Sequence, residues 1–179
     1  MHNGVLKMGV VCMITAMMAL SMFGAMAGTQ AGVEVVPQYY LVGFNELPSE
    51  GAQAAIENSG MDILNYQGDG VYLIRAAAPL YTSSLMMTMA EDICLYPPSM
   101  KISPEFSGLT GQQPVRVTLH EGEGVADVLQ YLNSQAITIE KVHDISAPYV
   151  LCTMDTGQLS SVAALNQVSA VHPNSEPRT

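Results

Sequence analysis

Apolar and polar residues alternate with a period of two at Tyr40, Val42 and Phe44, which predicts a strand over "YYLVGFN". After Pro48-Ser49, a helix-starting pair, the period lengthens. Ala52, Ala55, Ile56 and Ser59 recur at helical spacing, and Gly60 stops the helix. "MDILNY" and "VYLIRA" are short β-rich runs on either side of "QGDG", whose Gly-Asp-Gly signals a tight hairpin. Tyr81, Leu85 and Met89 recur every fourth residue and predict a second helix, and "DICLYP" closes as a strand.

The same order then runs again. In "PVRVTLH", Val115, Val117 and Leu119 face one way and Arg116, Thr118 and His120 the other. Val125, Val128, Leu129 and Leu132 form a helical stripe that ends at Asn133-Ser134. "ITIEKV" alternates, "YVLCTM" is β-rich, Leu159, Val162 and Ala163 sit at helical spacing, and "VSAVHP" closes the pass. The offset between passes is about 75 residues, an internal repeat.

Each pass reads β-α-β-β-α-β. This predicts an α+β chain of two tandem ferredoxin-like units, each an antiparallel sheet with two helices on one face. The first unit is expected over residues 38–98 and the second over 114–173. A Pro/Gly/Ser-rich linker over 99–113 joins them, and residues 28–37 and 174–179 are extended ends. The second face of each sheet is expected to stay open as a docking surface.

Composition changes this picture at the start of the chain. Residues 10–23 form an uncharged apolar run after Lys7, and Ala25-Met26-Ala27 offers small residues for cleavage before Gly28. Residues 1–27 therefore read as a signal peptide, too short for a spanning helix of about 20 apolar residues, and the mature chain as secreted or extracytoplasmic. Membrane contact is expected only through that transient leader, with retention as an anchor the less favoured alternative. Removing Lys7 with the leader takes the net charge from −10 to −11, and such an acidic chain repels phosphate backbones, so no nucleic-acid partner is expected. Cys94 and Cys152 are too few for a disulfide framework; one bridge and two buried thiols both fit, the thiols being favoured.

The chemistry-bearing motifs resolve into structural readings. Asp155-Thr156-Gly157 resembles the catalytic Asp-Thr-Gly of aspartic proteases. No second Asp-Thr-Gly or Asp-Ser-Gly shares the proton, and the His and Ser patterns of a subtilisin triad are absent. Asp155 and Thr156 are therefore read as caps on the amides of a first helical turn. His120, His143 and His172 lack ligand spacing and read as strand-end surface residues, so no metal is expected. "QGDG" has too few glycines, and no following Lys, for a phosphate loop, and no cofactor is expected. "SLMMTMAE" reads as helical core rather than an adaptable Met-rich surface.

The residues also suggest a family. Tyr40-Leu41-Val42-Gly43-Phe44, the run from Gly60 to Tyr66, Tyr96-Pro97-Pro98 and Lys101 to Glu105 resemble, in order and spacing, the N-terminal propeptide region of secreted subtilisin-like serine proteases. The second pass looks like another copy of the same module. The resemblance implies a non-catalytic, prodomain-like protein that lays its sheet on a subtilisin-like serine protease domain as inhibitor or folding assistant. It also implies that Asn174, Ser175, Glu176, Pro177, Arg178 and Thr179 begin a tail entering the protease cleft. The partner domain would lie in cis on a longer precursor or act in trans, and no catalytic residue carries over. The alternative is a secreted two-domain protein that binds a small ligand or a cell-surface protein.

Overall fold

A computed structural model describes residues 36–174, which belong to one compact unit. The predicted leader 1–27, most of the extended segment 28–37 and tail residues 175–179 lie outside the described residues. The chain is α+β. It holds two four-stranded antiparallel sheets and a few short helices.

The first sheet contains β1 (Gln38–Phe44), β2 (Met61–Gly68), β3 (Val71–Ala76) and β4 (Ala90–Leu95) in the order β2-β3-β1-β4. α1 (Glu50–Asn58) links β1 to β2, and its N-cap Ser49 accepts from the Ala52 amide at 3.3 Å. The β2–β3 turn needs left-handed backbone at Gly68, Asp69 and Gly70 (φ 104°, 50° and 80°). A Cβ at Gly70 would also stand 3.3 Å from the Phe44 carbonyl, so glycine is required on two counts. A 3₁₀ turn, Leu80–Thr82, and α2 (Ser84–Met89) lead into β4. Tyr40, Val42, Phe44, Ile74 and Ala76 from the sheet pack with Ile56, Leu80 and Met86 as one core.

The second sheet repeats the order as β6-β7-β5-β8, from β5 (Gln112–Leu119), β6 (Thr138–His143), β7 (Tyr149–Asp155) and β8 (Val168–Pro173). α4 (Ala126–Ser134) buries Val128 and Leu132, and α5 (Leu159–Ala163) buries Leu159, Val162 and Ala163, against Val115, Val117, Val150, Cys152 and Val171. The residues between the sheets contribute to this core. α3 (Pro98–Lys101) and a 3₁₀ turn, Pro104–Phe106, place Phe106 in it, and Ile102 makes a parallel bridge to Val171. The stretch 99–113, expected as a linker on composition, thus holds buried side chains of the second core.

Two local expectations need correction. The predicted helical stripe of Tyr81, Leu85 and Met89 holds in part: Leu85 and Met89 are half-buried against the core, but Tyr81 is exposed, and Leu80 and Met86 are the fully buried residues. The cause is a break at Ser83, whose hydroxyl accepts from the Met86 amide at 3.4 Å and starts a fresh helix. The face of the first sheet opposite its helices is also not bare, because Tyr39, Leu41 and Leu73 there are buried. Cys94 in β4 and Cys152 in the second core are not joined by a disulfide, and burial followed by the charge on Glu140 pushes the Cys152 thiol up to about 12.

Candidate functional site

β8 forms one edge of the second sheet and delivers the chain to its C-terminal end. The ladder continues one residue past the strand, where the Asn174 amide donates to the Pro114 carbonyl at 2.9 Å. The other expected tail residues, Ser175, Glu176, Pro177, Arg178 and Thr179, lie outside the described residues. Across β5, Asp155 ends β7 opposite Gln112. Its Oδ1 accepts from the Gly157 amide at 2.8 Å, and its own amide donates to Gln158 Oε1 at 3.0 Å. This reciprocal capping box opens the 3₁₀ turn Thr156–Gln158 ahead of α5, and the Thr156 amide donates to the Gly111 carbonyl at 3.0 Å. The Asp155 carboxylate is thus engaged with backbone, as a cap requires. Asp155→Ala is expected to cost about 1 kcal/mol in chemical denaturation.

The face of the second sheet turned away from its helices carries mostly polar side chains around Leu151, which is buried. Arg116 on β5 lies over the Tyr149 ring, 4.3 Å from its centroid, and His143 stacks on the same ring at 4.9 Å. The Thr153 hydroxyl donates to Glu140 at 2.6 Å. His172 pairs with Arg116 across β8 and β5. Of the three histidines expected on the surface, His143 is half-buried and His172 exposed. His120 is different, and it marks a site that pattern reading missed.

His120 follows β5 and is buried where the two sheets meet. Its ring stacks on Tyr39 of β1, with centroids 3.7 Å apart and planes 9° from parallel. The Tyr39 hydroxyl donates to Glu123 Oε1 at 2.5 Å, and Arg75, opposite Tyr39 on β3, reaches the same phenol. The turn joining His120 to Glu123 closes as the Glu123 amide donates to the His120 carbonyl at 3.1 Å, and it needs left-handed backbone at Gly122 (φ 82°). Tyr96 lies tilted beside His120, and Lys101 sits 5.3 Å from the centre of the Tyr96 ring. Lys101 is 4% exposed, and its ammonium donates to the Leu165 carbonyl at 3.0 Å. A junction of two aromatic rings, an imidazole, two cations and a carboxylate therefore locks the second half onto the first sheet.

Burial sets the electrostatics there. Burial lowers the Lys101 ammonium to about 8. Burial, then the charges of Lys101 and Arg75, push His120 down to about 4, so the imidazole is neutral near pH 7. His120 Nε2 is buried with no hydrogen-bond partner among the described residues. Burial and the bond to Glu123 raise the Tyr39 phenol well above its ordinary value. The packing positions and clamps; among the described residues no three His, Cys, Asp or Glu side chains converge as a metal site would require.

Comparison with known proteins gives a family-model match. Residues 15–93 match a family model described as a domain of unknown function, DUF8729. The match covers less than half of the chain, takes in the first sheet up to Ile93 in β4, and includes none of the second. No curated protein and no solved structure matches the chain. Among the described residues no helix is long and apolar enough to cross a membrane.

The junction left faint traces in the sequence. Lys101 is a lone cation in a Pro/Ser-rich stretch, and "HEGEG" supplies the Gly-bearing turn that carries Glu123. Neither trace shows that a ring from β1 completes the site, because that depends on how the sheets meet.

Proposed function

We propose that this chain is a non-catalytic, extracytoplasmic module of two tandem ferredoxin-like units that binds a subtilisin-like serine protease as inhibitor or folding assistant. The observation that carries this reading is the strand order. Both sheets run 2-3-1-4 within a β-α-β-β-α-β chain, and in each the helices share one core with one sheet face. That is the arrangement the propeptide resemblance implies.

The junction assigns different tasks to the two sheets. The second face of the first sheet is taken up by Tyr39, His120 and the turn at Glu123. The face with Arg116, Thr118 and Tyr149 on the second sheet is the one offered to a protease. β8, the edge strand beside that face, precedes the tail, and an extended tail would add to a substrate cleft through main-chain bonds. A module of this kind gains stability from a partner that binds only its folded form.

The test is inhibition of a purified subtilisin by residues 28–179. Nanomolar inhibition is expected, with at least about a hundredfold loss when the chain ends at Pro173, because the main-chain contacts of the tail are removed. Folded protein that leaves the protease untouched at micromolar concentration overturns the proposal.

A further inference from the structure

We propose that the free edge of β4 around Ile93 is a separate interaction surface, which takes an extended segment of a partner protein bearing alternating apolar and basic side chains. The second sheet of the same chain shows what such an edge accepts.

The two sheets share one register. Gly43 pairs with Asp92 as Thr118 pairs with Ala170, and Val42 pairs with Ile93 as Val117 pairs with Val171. Both ladders slip at the next step, with Phe44 opposite Ala90 and Leu119 opposite Val168. Both continue past the strand with the same bond, Tyr96 amide to Tyr39 carbonyl at 2.8 Å and Asn174 amide to Pro114 carbonyl at 2.9 Å. Ile93 and Val171 are therefore equivalent positions on equivalent edge strands. In antiparallel pairing, alternate residues turn their amide and carbonyl toward the neighbour. Tyr96 and Asn174 point inward, so Ile93 and Val171 point outward.

On β8 that outward position is filled. The Ser103 amide donates to the Val171 carbonyl at 2.9 Å, and Ile102 lies alongside as a parallel bridge. On β4, among the described residues, no backbone segment does the same for Ile93. Among the described residues the fold thus shows what this edge accepts, and shows it occupied in one copy only. Exposed edges are usually blunted by a cover or by a charge. β4 carries the exposed charges of Glu91 and Asp92 but, among the described residues, no backbone cover, and it borders exposed apolar side chains: Tyr81, Met87 and Leu95 are 65%, 63% and 57% exposed. Tyr81, Met87, Glu91, Asp92 and Ile93 line one open groove along the strand.

Charge selects the occupant. Glu91 and Asp92 are both exposed on this strand. A second copy would bring another such pair to the edge, in a chain already at −10. A basic, alternating segment instead gains main-chain bonds from the edge, apolar contact from the groove and attraction from the carboxylates.

The test is an NMR titration of isotope-labelled residues 28–179 with a capped decapeptide of alternating valine and lysine. Saturable shifts at the amides of residues 91–95, absent from the β2 edge, are expected. The double variant Glu91→Lys/Asp92→Lys should weaken binding at least about tenfold, and a valine–glutamate peptide should not bind. Leu95→Lys, at an exposed site, removes apolar area and adds a like charge, so it should also weaken binding and gives a second reading if the double variant misfolds. Absence of binding, shifts centred elsewhere, affinity indifferent to both variants, or a dimer formed through β4 without peptide would each overturn the proposal.

Discussion

Acid is expected to weaken this fold in one defined window, between pH 6.5 and 4, through a single imidazole. His120 titrates near 6.5 in the unfolded chain but is held down to about 4 when folded. As pH falls below 6.5, the unfolded state takes up a proton that the folded state refuses, so the equilibrium moves toward unfolding. The penalty is complete below pH 4, and at about 1.4 kcal/mol per unit it reaches on the order of 3 kcal/mol. The groups around the ring are Tyr39, Tyr96, Lys101, Arg75 and the backbone of Val168; the two cations oppose its protonation and the Val168 hydrogen bond favours it, less strongly. Lys101 acts in a separate window: its depressed value means that stability rises as pH climbs from about 8 to 10.5. Urea midpoints measured from pH 8 to 3.5 should fall steeply in the wild type. They should lose that step in His120→Phe, which keeps a ring on Tyr39 and removes the orphaned nitrogen. A variant that declines over the same window as the wild type would show that another group carries the transition.

Phe106→Ala is expected to be the most damaging single change outside the sheets, costing about 3–5 kcal/mol. The ring belongs to the second core, with Val115, Val117, Leu159 and Val171, although it comes from the stretch between the sheets. Its loss would leave a cavity that the rigid β5–β8 pair cannot close, and the cost is a large part of the about 5–15 kcal/mol that holds an ordinary domain together. Chemical denaturation of the full chain, followed by far-ultraviolet circular dichroism, measures it. A loss below about 1 kcal/mol, the range of surface changes, would mean that residues 99–113 behave as a tether after all.

The strands were readable because a period of two needs only four or five residues to declare itself. Val115, Val117 and Leu119 all point into the second core, as their alternation predicts. α4 was readable for the same reason at a longer period, with Val128 and Leu132 fully buried. α2 was legible only in part: Leu85 and Met89 do pack on the core, but Tyr81 lies ahead of the Ser83 cap that restarts the helix, and six residues hold too few turns to show that break. Residues 99–113 were read by their Pro, Gly and Ser content, which concealed three isolated anchors, Lys101, Ile102 and Phe106. The junction was the least legible part. Tyr39 and His120 are far apart in the chain, and alternation assigned His120 to the polar side of its strand. It does point away from the second core, but into the first sheet rather than into water.

The placement of Lys101, Phe106 and His120 also bears on the order of assembly at the ribosome. Every strand of the first sheet lies upstream of Pro97, and all of its strand pairs are internal. That sheet can close while the rest of the polypeptide is still being made. The second cannot complete its core until Val171 has emerged to meet Ile102 and Ser103, residues translated much earlier. Vectorial synthesis therefore delivers all strands of the first layer, and the clasp residues from Tyr39 to Glu123, before the last strand of the second layer exists.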